Sequence, residues 1–410
     1  MSRHIVEEAK RCLQCKNPKC KEGCPIATDI PEMIKMLLDS QISEAGEMLF
    51  YNNPLSVVCS LVCPHEKQCE GHCILAKKGN PVHISDIEHY ISDYSLDLLP
   101  LKSSQEATGN IGIIGSGPAG ITIAFILALK GYSITIFEAH DKIGGVLRYG
   151  IPEFRLPKEI LDRLKNKLVE MGVVIRPNTI VGPGITVDDL FRDGFDALFI
   201  GTGVWNPKKI GIKGESLGHV HYAIDYLKNP EVYDIGERLT VIGAGNVAMD
   251  VARTALRKGV KTVTILARRG EKEMPARSYE VEYAKIDGVK FEYYKVPVEI
   301  TKEGVIYRKF QMNEATDKYE EVEGSEALFP GDSVIIAISQ GPKANIVSSS
   351  KGIEINQYGL VITDEDGRTT REGVFASGDV VTGAKTVVEA AKYSKEVAEM
   401  MHQYVQGLRK

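Results

Sequence analysis

The feature that most constrains the fold is a pattern that occurs twice: a short apolar strand, a glycine-rich loop and a helix. The two copies are NIGIIGSGPAGITIAFILALKGYSITIFEAH, from residue 110, and RLTVIGAGNVAMDVARTALRKGVKTVTILARR, from residue 238. Each is typical of the unit in which a parallel sheet and its helices hold a dinucleotide. The sequence therefore predicts an α/β protein with two Rossmann-like nucleotide-binding domains.

The first copy contains G-x-G-x-x-G between its strand and its helix. Gly115 permits the tight turn, Gly117 lets a pyrophosphate approach the backbone, and Gly120 lets the helix pack on the strand. The helix N-terminus then presents free N–H groups to the phosphates. Glu138 ends the next strand, where a carboxylate can accept hydrogen bonds from the two hydroxyls of a ribose.

The second copy keeps the first two glycines but has Ala248 in place of the third. Its next strand ends in Ala267 where the first copy has an acid, and Arg268 and Arg269 follow. A carboxylate would repel a 2'-phosphate, whereas a guanidinium can bind one. The pattern favours NADP(H) over NAD(H). NADH use, and arginines that are only solvated surface charge, remain open.

A third motif, GVFASGDVVTGAKTVVEAA, lies near the end of the sequence. A short strand reaches Gly378 and Asp379, and a helix begins after Lys385. An acid at a strand end before a helix N-terminus suits a ribityl hydroxyl and the pyrimidine edge of a flavin. Together with the order of the two cradles, this motif predicts an FAD domain that an NADP domain interrupts.

The predicted domains have these borders. An α-helical domain covers residues 1–100, and the polar run at 101–110 suits a linker. The FAD-binding domain consists of residues 105–203 and 335–410, and the NAD(P)-binding domain of residues 204–334. Within the latter, residues 285–330 are expected to form a strand meander with a solvated acidic hairpin.

The cysteines are confined to the first 73 residues, in runs spaced C-x2-C-x4-C-x3-C-P and C-x3-C-P-x4-C-x3-C. Disulfides persist in exported proteins, and no export signal is recognised here. The first run is similar to a bacterial ferredoxin run, in which the cysteine before proline ligates the other cluster, so Cys24 is expected to cross over. Two iron–sulfur clusters are favoured, with zinc as the rival because C-x2-C also occurs in zinc knuckles. The eight cysteines are Cys12, Cys15, Cys20, Cys24, Cys59, Cys63, Cys69 and Cys73.

Composition and charge exclude other classes. The 410 residues include 50 basic and 55 acidic side chains, a formal charge of −5, with no basic stripe of the kind that binds nucleic acid. The longest apolar stretch, ITIAFILAL, is far shorter than a membrane span. We therefore expect a cytoplasmic protein without nucleic-acid or membrane partners.

These motifs resemble one family, the small (beta) subunit of glutamate synthase together with the matching N-terminal half of dihydropyrimidine dehydrogenase. The resemblance covers essentially the whole chain, and in length and second cysteine run it is greatest to the separate flavin subunit of two-subunit bacterial dihydropyrimidine dehydrogenases. It rests on CLQCKNPKCKEGCP, NNPLSVVCSLVCPHEKQCEGHC, IGGVLRYGIPEFRLPK, AGNVAMDVARTAL and ASGDVVTGAKTVVEAA. It implies electron transfer from reduced nicotinamide to FAD, then through two 4Fe-4S clusters to a second flavin on a partner subunit.

The resemblance also implies the site residues. For FAD they are Gly115, Gly117, Pro118, Ala119, Gly120, Glu138, Val146, Arg155, Gly378 and Asp379. For the nicotinamide dinucleotide they are Ala244, Gly245, Asn246, Val247, Arg268 and Arg269. Further candidate cofactor-binding residues are Gly145, Val181, Gly203, Gly243, Thr386 and Val387.

For the metal sites, the family alignment implies one cluster on Cys12, Cys15, Cys20 and Cys73. The other would use Cys24, Cys63, Cys69 and a non-cysteine ligand, which falls on Glu88. Cys59 would then be a small apolar filler, and the alternative is Cys59 as the eighth ligand.

The resulting hypothesis is an NADPH-linked FAD and iron–sulfur oxidoreductase subunit that feeds electrons to a partner of the glutamate synthase or dihydropyrimidine dehydrogenase type. No side chain is expected to act as a catalytic acid or base. One alternative is the large subunit of a bifurcating NADH-dependent ferredoxin:NADP oxidoreductase. Another is a nucleotide-binding regulator that zinc holds together, without redox turnover.

Overall fold

The computed structural model describes residues 2–104, 108–313, 318–343, 346 and 349–409. Residues 105–107 of the predicted linker and 314–317 of the acidic hairpin lie outside the described residues. The chain divides into two compact units. Unit 1 comprises Met1–Arg148, Glu153–Val204 and Pro342–Lys410, and unit 2 comprises Tyr149–Pro152 and Trp205–Gly341.

The first part of unit 1 is helical, as the three- and four-residue spacing of apolar side chains predicts. In Ile30–Leu38, for example, Ile30, Met33, Ile34 and Leu37 form one buried face. The helices are α1 (Ser2–Ala9), α2 (Lys19–Gly23), α3 (Ile30–Leu38), α4 (Ile42–Asn52), α5 (Ser56–Val62) and α6 (Ile84–Leu96), with 3-10 turns at His65–Lys67 and Ile74–Lys78.

The rest of unit 1 is a five-stranded parallel sheet in the order β16-β4-β1-β2-β3. Its strands are β1 (Asn110–Ile114), β2 (Ser133–Phe137), β3 (Val174–Arg176), β4 (Ala197–Ile200) and β16 (Val374–Ala376). The helices that accompany it are α7 (Pro118–Leu129), α8 (Val146–Tyr149), α9 (Lys158–Glu170), α10 (Val187–Arg192), α14 (Asp379–Thr382) and α15 (Val387–Gly407).

Unit 2 contains a second parallel sheet, in the order β6-β14-β7-β8-β9. Its strands are β6 (Val220–Tyr222), β7 (Arg238–Ile242), β8 (Thr262–Ala267), β9 (Lys290–Tyr293) and β14 (Ser333–Ile336). Its helices are α11 (Ala223–Lys228), α12 (Asn246–Arg257) and α13 (Ser278–Asp287), with 3-10 turns at Pro230–Val232 and Glu271–Glu273. The predicted fold class, two Rossmann-like domains after a helical one, is confirmed.

The predicted meander is also present in unit 2, as antiparallel strands that pair with β11. They are β10 (Lys295–Thr301), β11 (Gly304–Asn313), β12 (Lys318–Glu321) and β13 (Ala327–Pro330), and β5 (Asn206–Pro207) pairs separately with β15 (Gln340–Gly341). No helix in the described part of the chain combines the length and the apolar composition that crossing a membrane requires.

Candidate functional site

The first glycine loop joins β1 to α7 in unit 1, and glycine suits each of its three positions for a different physical reason. Gly115 has a φ of +98°, which favours glycine. A methyl group at Gly120 would lie 2.0 Å from the Gly115 carbonyl oxygen, so only hydrogen fits there. At Gly117 the nearest atom to such a methyl group is 4.0 Å away, so this face of the loop is open. The loop therefore offers the cradle that a pyrophosphate requires.

Glu138 follows β2 at the edge of this cradle. One carboxylate oxygen accepts hydrogen bonds from the amide and hydroxyl of Ser116, and the other from the amide (2.8 Å) and Nδ1 (2.9 Å) of His140. Burial raises the pKa of Glu138, but these hydrogen bonds outweigh it and hold the pKa below its ordinary value. Glu138 is thus a buried carboxylate. Ser116 and His140 were not predicted, although each lies within two residues of a predicted site residue.

The C-terminal motif reaches the same cradle. Gly378, with a φ of +75°, follows β16, and a methyl group on it would lie 3.1 Å from Cβ of Ala119. Asp379 accepts a hydrogen bond from the Lys385 amide at 3.1 Å, and burial raises the pKa of Asp379 to about 6. Residues some 260 positions apart in the sequence therefore line one site in unit 1.

The other candidate residues of unit 1 lie at helix starts and in loops. Gly145, just before α8 and Val146, faces the cradle, because a methyl group on it would lie 2.8 Å from Cα of Gly117. Thr386 begins α15 with a capping box, in which its hydroxyl accepts from the Glu389 amide. This box does not use the amides of Val387 and Val388. The remaining three candidates lie in loops: Arg155 between α8 and α9, Val181 before α10, and Gly203 after β4.

The second glycine loop joins β7 to α12 in unit 2 and repeats the arrangement. Gly243 has a φ of +132°, and a methyl group at Gly245 would meet nothing within 4 Å. The third position accepts the methyl group of Ala248, which is fully buried. Around the loop, the Ala276 amide donates to the Ala244 carbonyl at 3.2 Å, and Oδ1 of Asn246 accepts from the Arg277 amide at 2.9 Å. Val247 lies in the first turn of α12.

The strand ends of the two cradles carry opposite charges. The Gly115 amide donates to the Phe137 carbonyl, and the Gly243 amide donates to the Leu266 carbonyl. Ala267 therefore occupies the position of Glu138, as the sequence comparison indicates. Arg268 and Arg269 come next and are both exposed. The second cradle thus has two guanidinium groups available where the first has a buried carboxylate.

Four thiols meet in the helical part of unit 1. Cys12, Cys15, Cys20 and Cys73 line one cavity, together with apolar side chains of α3. Burial raises the pKa of Cys20 to about 11, and the neighbouring Cys12 and Cys73 thiols add to this. Burial also raises the pKa of Cys12, with contributions from Cys15 and Cys73. We call these residues the four-cysteine group.

Three further thiols lie near a buried carboxylate. Burial raises the pKa of Glu88 to about 7, although Ser56 donates a hydrogen bond to it at 2.7 Å. The charge of Glu88 in turn raises the pKa of Cys24, Cys63 and Cys69, after burial for Cys24 and Cys69, and after contact with another thiol and burial for Cys63. We call Cys24, Cys63, Cys69 and Glu88 the mixed group.

Cys59 lies beside Cys63 of the mixed group. Its buried thiol contacts that of Cys63 and receives a hydrogen bond from Nδ2 of Asn53 at 3.3 Å. Among the described residues, no three Cys, His, Asp or Glu side chains converge as a single metal ion requires. The ligands of a four-iron cluster bind separate irons and need no such common point.

Two protein-family models match successive parts of the chain. Residues 1–98 match the family described as dihydropyrimidine dehydrogenase domain II, 4Fe-4S cluster, and residues 109–394 match the pyridine nucleotide-disulphide oxidoreductases. Mycobacterium tuberculosis FprA in complex with NADPH superposes with a TM-score of 0.60 over 74% of this chain and 86% of that one, at 15% identity. The chain is an NAD(P)H-dependent oxidoreductase whose cofactors are FAD and 4Fe-4S clusters. The 4Fe-4S family match favours iron–sulfur over the zinc alternative.

Two full-length relatives narrow the family. The chain is 34% identical to the glutamate synthase [NADPH] small chain of Escherichia coli, over 96% of this chain and 89% of that one. It is 32% identical to the NAD-dependent dihydropyrimidine dehydrogenase subunit PreT of the same organism, over 98% of this chain and 94% of that one. The chain belongs to the glutamate synthase small chain family, which confirms the resemblance read from the sequence. Both relatives are subunits of larger enzymes by name.

Proposed function

We propose that this chain takes electrons from NADPH and delivers them singly to a partner subunit that carries a second flavin. FAD accepts the hydride of NADPH directly and can release its electrons singly to iron–sulfur clusters, so no side chain has to move a proton in that transfer. The observation that carries the proposal is that unit 1 combines a dinucleotide cradle with two groups of clustered ligands. The chain's own part is to bind and orient these groups.

In unit 1, the proposed FAD site has a different residue for each part of the cofactor. The amides of the loop from Gly115 to Gly120 would bind the pyrophosphate at the start of α7. The carboxylate of Glu138 has its four acceptor positions engaged by Ser116 and His140, so a ribose would replace the Ser116 hydroxyl and the His140 ring nitrogen, which can rotate away. Asp379 would accept from a ribityl hydroxyl.

In unit 2, the proposed nicotinamide site uses the open face at Gly245. The 2'-phosphate of NADPH would lie against Arg268 and Arg269, because Ala267 leaves no carboxylate there to repel it. This is the basis for proposing NADPH rather than NADH as the electron donor. One of the two relatives is named for NADPH and the other for NAD, so the choice of NADPH for this chain depends on Arg268 and Arg269.

For the iron–sulfur sites, the four-cysteine group and the mixed group each supply four ligands. The supporting observation is that buried Glu88 lies near enough to Cys24, Cys63 and Cys69 for its charge to raise the pKa of all three thiols. We therefore propose Glu88 as the eighth ligand. A carboxylate is a harder ligand than a thiolate, so the two clusters should differ in reduction potential.

Iron analysis and EPR spectroscopy of Glu88→Ala and Cys59→Ser test this assignment. We expect Glu88→Ala to perturb or lose one cluster, and Cys59→Ser, the matched control at a neighbouring position, to keep both clusters with unchanged signals. The opposite result would make Cys59 the ligand and remove Glu88 from the site. A colourless purified protein, with neither flavin peaks nor a broad brown absorbance, would contradict the whole proposal.

The partner would accept electrons at the surface of the helical part of unit 1. Leu13 lies between two cysteines of the four-cysteine group and Ile74 directly after another, and both are exposed. Lys16 and Lys77 are exposed close by in sequence. Such a surface, apolar with basic residues around it, suits a protein with an acidic rim. Isolation of the chain with its copurifying polypeptide identifies the partner and separates this function from that of a bifurcating large subunit.

A further inference from the structure

A chain of hydrogen bonds in unit 1 connects the mixed group to helix α15. Nζ of Lys395 donates to Oδ1 of Asn52 at 2.9 Å and to its carbonyl oxygen at 3.2 Å. Nδ2 of Asn52 donates to the Ile26 carbonyl at 3.2 Å and to Oγ1 of Thr28 at 3.3 Å. Oγ1 of Thr28 lies 3.5 Å from Sγ of Cys24. The chain runs from α15, through the last residue of α4, to a proposed cluster ligand.

The chemistry of the end groups fixes the direction of every bond. An ammonium group only donates, so the Asn52 atom that faces Lys395 is the amide oxygen. A backbone carbonyl only accepts, so the Asn52 atom that faces Ile26 is the amide nitrogen. The same nitrogen faces Thr28, whose oxygen must therefore accept from it. The single hydrogen of the Thr28 hydroxyl is then left to donate elsewhere.

Sγ of Cys24 is an acceptor within reach of the Thr28 hydroxyl. A cysteine that binds iron does so as a thiolate, which has no hydrogen and can only accept. Thr28 is buried, with 4% of its surface exposed, so solvent does not compete for its hydroxyl hydrogen. The Asn52 amide therefore directs the Thr28 hydroxyl toward the sulfur, and Lys395 holds that amide in the required orientation.

We infer that Thr28, Asn52 and Lys395 form a positioning relay that places a hydrogen bond on the Cys24 thiolate and so raises the reduction potential of the mixed-group cluster. Hydrogen bonds to ligating sulfurs stabilise the reduced, more negative state of an iron–sulfur cluster. The relay also begins on α15, the helix whose first turn belongs to the proposed FAD site. The inference rests on the proposed function, because it takes Cys24 to be a ligand of the mixed group.

Reductive titration of the holoprotein followed by EPR measures the potential of each cluster separately. Thr28→Val keeps the shape of the side chain and removes the hydroxyl, and Thr28→Ser is the matched control that keeps it. We expect Thr28→Val to lower the reduced-to-oxidised ratio of the mixed-group cluster about tenfold at a fixed potential, which is about 59 mV for one electron. The four-cysteine cluster should not shift, and Thr28→Ser should resemble the wild type.

Two further variants test Asn52 and Lys395, the upstream members of the relay. Asn52→Asp replaces the donor by an acceptor, which draws the Thr28 hydrogen away from the sulfur, so the potential should again fall. Lys395→Met should lower it in the wild type but have little further effect in Thr28→Val, because Lys395 acts through the relay. Equal shifts in both backgrounds would show a direct charge effect of Lys395 and overturn its place in the relay.

Cys24→Ser distinguishes failure of the relay from failure of the proposed function. If Cys24→Ser disrupts one cluster while Thr28→Val and Asn52→Asp leave both potentials unchanged, the relay is refuted and the ligand assignment stands. If Cys24→Ser leaves both clusters and their EPR signals intact, Cys24 is not a ligand, and the assignment and the relay fail together.

Discussion

Substitutions of the glycines in the first cradle should separate folding from cofactor binding. Gly117, the last loop residue, and Gly120, in the first turn of α7, lie three residues apart but differ in what an added methyl group would meet. At Gly117 the nearest atom is 4.0 Å away, and its φ of −72° suits alanine. At Gly120 the Gly115 carbonyl oxygen is only 2.0 Å away and cannot move aside without distorting the loop.

The expected magnitudes follow from these distances. Overpacking in a core costs about 1 to 3 kcal/mol, and the severe overlap at 2.0 Å places Gly120→Ala at the upper end. Alanine regains about 1 kcal/mol of helix propensity, so Gly120→Ala should lose about 2 kcal/mol of stability. Gly117→Ala should change the stability by less than about 1 kcal/mol, and any change should be a gain. Its methyl group would instead fill the open face, and the loss of phosphate contacts should weaken FAD binding about ten- to a hundredfold.

The assay is thermal unfolding of the FAD-free chain together with FAD titration by flavin fluorescence. Gly245→Ala is the matched control in the second cradle, where a methyl group meets nothing within 4 Å, and it should weaken NADPH binding while FAD binding is unchanged. Wild-type FAD affinity in Gly117→Ala, or wild-type stability in Gly120→Ala, would refute the reasoning from these distances.

The remaining predictions concern charge. Arg268→Ala and Arg269→Ala should weaken NADPH binding about ten- to a hundredfold and NADH binding little, because only NADPH has the 2'-phosphate. Lys261→Ala, at the opposite end of β8, is the control. A wild type that prefers NADH would contradict the assignment. Burial raises the pKa of Asp379 to about 6, so its folded form favours the proton. The FAD-free wild type should therefore lose about 3 kcal/mol of stability between about pH 4 and pH 6, and Asp379→Asn should not; parallel pH profiles from thermal unfolding would show the shift to be absent.

Much of the fold was predictable because it depends on local pattern. Both glycine loops lie between a strand and a helix as predicted, since the turn, the helix start and the buried strand are each encoded within about 30 residues. The short strand before Gly378 and Asp379 was also predictable, because an acid after a short apolar run is itself a local signal. The equivalence of Ala267 and Glu138 followed from aligning the two copies.

The relay could not be predicted from the sequence. Thr28 and Asn52 are 24 residues apart, and Asn52 and Lys395 are 343 residues apart. Asn52 opens the motif NNPLSVVCSLVCPHEKQCEGHC, but nothing in that motif indicates contacts with Thr28 or Lys395, and each of the three has an ordinary alternative as a surface or capping residue. Ser116 and His140 were missed for a different reason: their amides and side chains contact Glu138 through local backbone geometry and side-chain rotamers, which pattern and spacing do not specify.

The two cradles also differ in how much of the chain each needs. Unit 2 draws its loop, strands and helices almost entirely from the continuous stretch Trp205–Gly341. The first cradle needs Gly145 against Gly117 and Gly378 beside Ala119, and Gly378 follows β16, which pairs with β4. The proposed FAD site therefore cannot be complete until residues that follow unit 2 in the sequence have joined the sheet of unit 1. Since a ligand stabilises only the state that binds it, FAD should stabilise all of unit 1, including the helical part that Lys395 ties to α15, whereas the nicotinamide dinucleotide should stabilise unit 2.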